Sequence, residues 1–249
     1  MVAYDLVLPF EAVHVGVPST AATVIIAVDE PLDVGWLDEP DRSLSSWCSI
    51  SGLHLRPALV RTFGLQRGIH LSVTPLGCRA LFGAPIGAVA GYTIDMAELP
   101  RGLTTAEHDA IVSCASWADR LATLEGLLLA RLESQALAPD VTAAWDLLGR
   151  GVQVAQVAGE VGWSRRHLGN RVRAEFGVSP KEIGRLARFE RARRLVDGGV
   201  TLADAAHTCG FADQSHLSRE WRGFAGRSPT ASTEESPNLH DLITVDGQD

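Results

Sequence analysis

The pattern of apolar and polar positions changes character near residue 100. Before it, ATVIIAVDE (22–30), SWCSISGLHL (46–55) and GIHLSVTPL (68–76) are short apolar or alternating runs rich in β-branched residues. Gly, Pro and Asp separate them, so they predict strands of a small antiparallel sheet or barrel. Beyond residue 100, Ile111, Cys114, Ala118, Leu121, Leu124, Leu128 and Leu132 recur at spacings of three and four. They predict one long helix or a broken pair over 104–133, opened by a capping box of Thr104 and Glu107. That stripe either packs on its own sheet or pairs with a second copy as a short coiled coil, and Gly126 weakens a long rod. The stretch ALAPD (136–140) reads as a linker.

After the linker the periodicity is helical, and it repeats. VAQVAGEVGW (154–163) lies over LADAAHTCGF (202–211), and SRRHLGNRVRAEFGVSP (164–180) lies over DQSHLSREWRGFAGRSP (213–229). A duplicated supersecondary unit accounts for this self-similarity. Each copy reads as helix, tight turn, helix. In the first, Val154, Val157, Ala158 and Val161 form the apolar stripe, and Gly162 ends the helix where a left-handed residue is needed. Trp163 plugs the turn, Ser164 caps the next helix, and Leu168 and Val172 are its buried positions. In the second, Thr201 and Asp204 open the first helix, Leu202, Ala205, Ala206 and Cys209 make the stripe, and Gly210 ends it. Asp213 caps the following helix, whose core positions are Leu217, Trp221 and Phe224. Ser179, Pro180 and Glu182 start an intervening helix that runs to about Asp197 before Gly198 and Gly199.

Charge sharpens this picture. The chain of 249 residues has a formal net charge of −8, which by itself argues against a polyanionic partner. The charge is segregated, however: residues 1–140 hold 8 basic and 16 acidic residues, residues 141–232 hold 14 and 9, and the last seventeen hold five acids and no base. A basic module between acidic flanks is the electrostatic footprint of a phosphate-binding domain. Thirteen of its 14 basic residues are arginine, whose planar fork suits phosphate and guanine edges, although arginine dominates the whole chain. A helix, a glycine turn and a second helix are the geometry that presents the second helix to the major groove. The outward positions Ser164, Arg165, Arg166, Asn170 and Arg173 in the first unit, and Gln214, Ser215, His216, Ser218, Arg219 and Arg222 in the second, are the candidate DNA-binding residues. On the intervening helix, Arg185, Arg188, Arg191, Arg193 and Arg194 either touch phosphates or pair with Glu182 and Glu190. A small helical bundle with solvated arginines is the competing reading, and two tandem units with polar outer faces weigh against it.

The run from Gly162 to Val196, followed by LADAAHTCGFADQSHLSREWRGFAGRSP (202–229), resembles the DNA-binding domain of AraC/XylS-type transcription regulators over about ninety residues. The resemblance implies that the helices beginning near Ser164 and Asp213 read bases, with Arg166, Gly169 and Asn170 facing them in the first and Ser215, His216 and Arg219 in the second. The first helix departs from the family's pattern: Gly169 and Asn170 stand where a long polar side chain and an arginine are usual, and Val172 replaces a phenylalanine. Arg165 or Arg166 is left to carry readout there. Residues 52–99 more softly resemble the cupin-like sensor domain found upstream of such modules.

Together these readings give an α+β chain: a β-rich cupin-like sensor or dimerisation domain (1–100), a helical connector and linker (101–140), an all-α double helix-turn-helix domain (141–232) and an acidic flexible tail (233–249). Double-stranded DNA is the expected partner. The assignment leaves open a small-molecule effector, a homodimer through residues 1–134 and contact with RNA polymerase. The rival is a ligand-binding or enzymatic cupin-like domain with an appended helical module. Against an enzyme, His14, His54 and His70 are isolated from one another, each flanked by strand-like apolar residues, so no clustered metal ligand set is legible. There is no G-x-S-x-G, HExxH or phosphate-cradling glycine loop. The cysteines Cys48, Cys78, Cys114 and Cys209 have no CxxC spacing, which speaks against a zinc knuckle or a disulfide framework. Cys48 and Cys78 lack a neighbouring His or basic cluster in sequence, so nothing favours a reactive thiol there over a buried one. No cofactor and no catalytic residue is expected. The opening MVAYDLVLPFE lacks a basic region before an apolar run and no stretch reads as a membrane span, so a cytoplasmic protein is expected.

Overall fold

The structure, a computed structural model, describes residues 1–7, 13–61, 63–132 and 138–231. The amino-terminal half builds two antiparallel sheets. One has the strand order β1 (Val2–Val7), β8 (Leu65–Val73), β3 (Ala22–Ala27), β6 (Cys48–Ser51), β9 (Thr93–Asp95). The other has the order β2 (Val13–Gly16), β7 (Ala58–Arg61), β4 (Leu32–Trp36), β5 (Glu39–Ser46). Central β3 is covered on both faces, which is why ATVIIA reads as a continuous apolar run rather than an alternation. Val24 and Ile26 belong to the cluster that includes helix residues Phe82 and Ile111, whereas Ile25 packs with Tyr4, Leu32, Val34 and Trp36 between the sheets.

Helices cover the outer face of the first sheet: α1 (Pro75–Phe82), α2 (Thr105–Val112) and α3 (Trp117–Arg131). The 104–133 segment is thus a broken pair, and Ser116 caps the second helix through its hydroxyl. The expected strand 68–76 is cut short because Thr74 caps α1 and Pro75 occupies its first turn. The expected strands 22–30 and 46–55 likewise shrink to β3 and β6. The expected linker begins at residues outside the described ones, and Pro139 already opens α4 (Pro139–Gly149). The acidic segment 233–249 lies outside the described residues.

The carboxy-terminal half continues with α5 (Val154–Glu160), α6 (Arg165–Phe176), α7 (Pro180–Asp197), α8 (Leu202–Thr208) and α9 (Gln214–Ala225). The duplication is realised element by element: α5 and α8 have seven residues, and α6 and α9 have twelve. Helix α7 serves both cores. Its Ile183 packs with Val157, Leu168, Val172 and Phe176, while Leu186 and Phe189 pack with Ala205, Leu217, Trp221 and Phe224. Eighteen residues of α7, about 27 Å of helix, therefore fix the two units relative to each other. Among the described residues no helix is long and apolar enough to cross a membrane.

Candidate nucleic-acid interface and ligand cavity

Each helix-turn-helix unit is fixed by local chemistry that its sequence dictates. Gly162 and Gly210 take φ of +70° and +72°, the left-handed turn that lets the second helix leave at an angle. The Ser164 hydroxyl accepts from the His167 amide at 3.1 Å, and Asp213 Oδ1 accepts from the His216 amide at 2.6 Å. The aromatic turn residues meet the repeat-related histidines edge-on: Trp163 to His167 at 4.9 Å and Phe211 to His216 at 5.3 Å between ring centres.

These anchors orient the outer faces. On α6, Arg165, Arg166, Asn170 and Arg173 are exposed, with Gly169 half-buried beside them. On α9, Gln214, Ser215, Arg219 and Arg222 are exposed and Ser218 is half-buried. Among the described residues, none of the arginines on these two helix faces makes an ion pair, so each unit presents uncompensated positive charge. Two of the sequence candidates are occupied internally. Ser164 spends its hydroxyl on the cap. His216, half-buried, accepts the Ala212 amide on Nδ1 at 3.3 Å and sets Nε2 4.0 Å from the Glu220 carboxylate.

In the amino-terminal half, His14, His54 and His70 line one cavity of about 80 Å³ between the sheets, together with Thr23, Ser49 and Ser51. Sequence reading treats the three histidines as unrelated. Antiparallel pairing of β2 with β7 and of β3 with β8 brings two of them in from distant segments. Burial pushes His14 down to about 4, with the charge of Arg227 adding to it. Burial likewise pushes His54 down to about 4, opposed by the hydrogen bond between its Nδ1 and the Arg56 carbonyl at 2.7 Å. Both are neutral hydrogen-bonding groups at pH 7. Among the described residues no three His, Cys, Asp or Glu side chains gather as a metal site. The cysteines are free, and burial pushes the Cys48 and Cys78 thiols up to about 12, far from a reactive thiolate.

The two halves touch. Arg79 on α1 makes a two-pronged ion pair with Glu175 on α6, at 2.9 and 2.7 Å. Gly177, which ends α6 at φ +74°, lies against the backbone of Gly87 and the Ala90 methyl. The Glu190 carboxylate of α7 accepts from the Thr20 hydroxyl at 2.7 Å. His54 lines both the inter-sheet cavity and a groove shared with Gly177, Val178 and Glu182.

Residues 157–234 match the family described as helix-turn-helix domain. Residues 157–234 are an AraC-type helix-turn-helix domain. The AraC-type domain is also where a Bacillus subtilis protein named uncharacterized HTH-type transcriptional regulator YbfI is 38% identical over 56 residues, 22% of this chain and 20% of its own length. Similarity to the transcriptional activator NphR of Rhodococcus extends further, 31% over 162 residues, covering 61% of this chain and 47% of NphR. The chain thus matches less than half the length of these curated relatives. A 1.65 Å structure of ToxT from Vibrio cholerae shares the fold along nearly the whole chain, with a TM-score of 0.56 over 97% of this chain and 98% of that one at 11% identity. Another ToxT structure, with a TM-score of 0.54 at 12% identity, covering 93% of this chain and 96% of that one, is bound to (E)-4-(8-methylnaphthalen-1-yl)but-3-enoic acid. A β-rich amino-terminal half ahead of a helical carboxy-terminal half is therefore a fold the two chains share.

Proposed function

We propose that the chain is a sequence-specific DNA-binding transcription regulator that acts by binding rather than catalysis. The observation that carries this reading is the matched pair of units, each with a capped second helix, a left-handed glycine turn and an outer face of unpaired arginines, held by one shared helix. Two such helices from one chain reach successive major grooves, spaced by about one turn of DNA. On α6, Arg165, Arg166, Asn170 and Arg173 face the DNA; on α9, Gln214, Ser215, Ser218, Arg219 and Arg222 do. Ser164 and His216 hold their helices in place, and any base contact by either rests on the face left over from those internal bonds.

Residues 1–100 form the sensing domain, 101–140 the connector, and 141–232 the DNA-binding domain. Effector control takes place at the inter-sheet cavity, by analogy with the carboxylic acid bound to ToxT. Its signal reaches DNA through His54 and the docking of the Ile86–Val89 turn on the end of α6. Such control requires that the ligand bind one docking state better than the other. A second copy joins through α3, whose Leu129 and the adjoining Leu132 are 62% and 58% exposed. The protein works in the cytoplasm, on promoters and in contact with RNA polymerase. The test is selection of binding sites from random DNA by the full chain. An enriched asymmetric motif of two elements supports the reading, and recovery of unenriched sequence refutes it.

A further inference from the structure

A basic cleft of about 470 Å³ opens between the two helix-turn-helix units. Its floor is α7, one wall is the segment Arg150–Val154 leading into α5, and the other is the Thr208–Gly210 turn leading to α9. Arg150, Lys181, Arg185, Arg188 and Arg191 line it, and among the described residues no acidic side chain does. The structure sorts these five cations. Arg185 is engaged by Glu220 through three contacts of 2.9 to 3.2 Å. Arg191 donates to the Gly149 carbonyl at 2.8 Å. Among the described residues, the side chains of Arg150, Lys181 and Arg188 make neither a hydrogen bond nor an ion pair. Arg188 lies over the Phe211 ring, its guanidinium carbon 4.5 Å from the centroid, which fixes it at the foot of the second unit's turn. Arg150 and Lys181 are exposed at the mouth, and Lys181 is the chain's single lysine.

Three unneutralised cations lining one concave site favour an anion there. We propose that the cleft clamps a backbone phosphodiester of the DNA segment that crosses between the two major grooves, and so sets the spacing of the two reading helices. This rests on the DNA-binding reading above. Each unit contributes a wall, so a phosphate held there lies between the two units. The arrangement is sequence-blind: Arg188 supplies a stacked guanidinium edge, while Arg150 and Lys181 supply point charge at the mouth. None of the three approaches a base through the reading helices. The site adds affinity and register, not base preference.

The test uses the full chain and its selected DNA site. The double variant Arg150→Gln, Lys181→Gln removes two exposed side chains without internal partners, so the fold is retained. Fluorescence anisotropy against salt concentration should show the slope of log affinity on log salt fall by about 0.9 for each phosphate that the variant no longer neutralises. The affinity should drop by the same factor on specific and scrambled DNA, with an unchanged selected motif. Arg42→Gln, on the far edge strand β5, should leave the slope at the wild-type value. A duplex with one neutral methylphosphonate between the two protected patches should weaken the wild-type chain more than the double variant, which retains only Arg188 at the site; this separates a DNA phosphate from a free phosphate ion. An unchanged slope, or a methylphosphonate that wild type tolerates, overturns the clamp while leaving the DNA-binding reading intact. An unchanged slope with abolished transcription beside RNA polymerase would assign the cleft to a protein and overturn it equally. A wild-type chain with no sequence preference overturns both.

Discussion

Replacing Gly177 by alanine should loosen the packing between the two halves of the molecule more than any equivalent change at the other repeat glycines. Four glycines occupy corresponding left-handed positions: Gly162, Gly177, Gly210 and Gly226, with φ between +70° and +74°. An alanine in that region costs roughly 1–2 kcal/mol from Cβ against the neighbouring carbonyl, and all four carry that cost. Their surroundings differ. At Gly162 and Gly210 a new Cβ meets nothing within 4 Å. At Gly226 it meets the Cδ2 of Leu37 at 2.5 Å, the far end of a side chain that can swing away. At Gly177 it falls 2.1 Å from the Ala90 methyl and 3.1 Å from the Gly87 Cα, neither of which can rotate out of the way. Overpacking of this kind adds about 1–3 kcal/mol, so G177A should cost about 2–5 kcal/mol and G162A about 1–2. The relief available is for the Ile86–Val89 turn to lift off α6. Chemical denaturation gives the order of the four variants. Hydrogen exchange across residues 83–92 shows whether the excess cost at Gly177 takes the form of undocking. A G177A midpoint equal to that of G162A would refute the interdomain packing described for this turn.

Arg219→Ala should relax one or two base positions of the selected motif, worth about 1–3 kcal/mol of discrimination, while Arg194→Ala, an exposed residue paired with Glu190, leaves the motif unchanged. Asp213→Ala should lower stability by about 1 kcal/mol by orphaning the His216 amide, measured by thermal melting, and Asp213→Asn should recover most of it. His14 and His54 are neutral in the fold down to about pH 4 but take up a proton near 6.5 when unfolded, so the unfolded chain binds more protons between those limits. Stability should therefore be flat above about pH 6.5 and fall as pH drops toward 4, and His54→Gln should flatten part of that decline. Arg79→Met should open the interdomain interface by stranding Glu175, visible as faster protease cleavage near residues 83–92 with the DNA motif unaltered.

The carboxy-terminal half was legible because its rules are local. The caps at Ser164, Ser179, Thr201 and Asp213 act over three residues, the glycine turns over one, and the repeat shows each of them twice. The amino-terminal half was legible only where strands are covered on both faces, as in β3. The edge strand β5, EPDRSLSS, faces solvent and carries the charges that keep an edge from pairing further, so it has no apolar signature. Helix α1 hides in a run that reads as strand until Thr74 and Pro75 are recognised as a helix start. Among the candidate residues, the fate of the α7 arginines Arg185 and Arg191 was not readable, because their partners Glu220 and Gly149 lie 35 and 42 residues away; His216 pairs locally, with Phe211 and Glu220, and its occupation follows from side-chain rotamers that no pattern encodes. The cavity histidines and the Arg79–Glu175 pair, 96 residues apart, depend on strand pairing and domain docking that no local pattern encodes.

The central claim is that one chain carries two reading helices fixed by α7. Hydroxyl-radical footprinting of the full chain on its selected site, at concentrations where it is shown to be monomeric, tests this directly. Two protected patches about 10 bp apart on one face of the duplex, on a site without internal symmetry, are the predicted result. A single patch, or protection that appears only when two chains bind an inverted repeat, would contradict it.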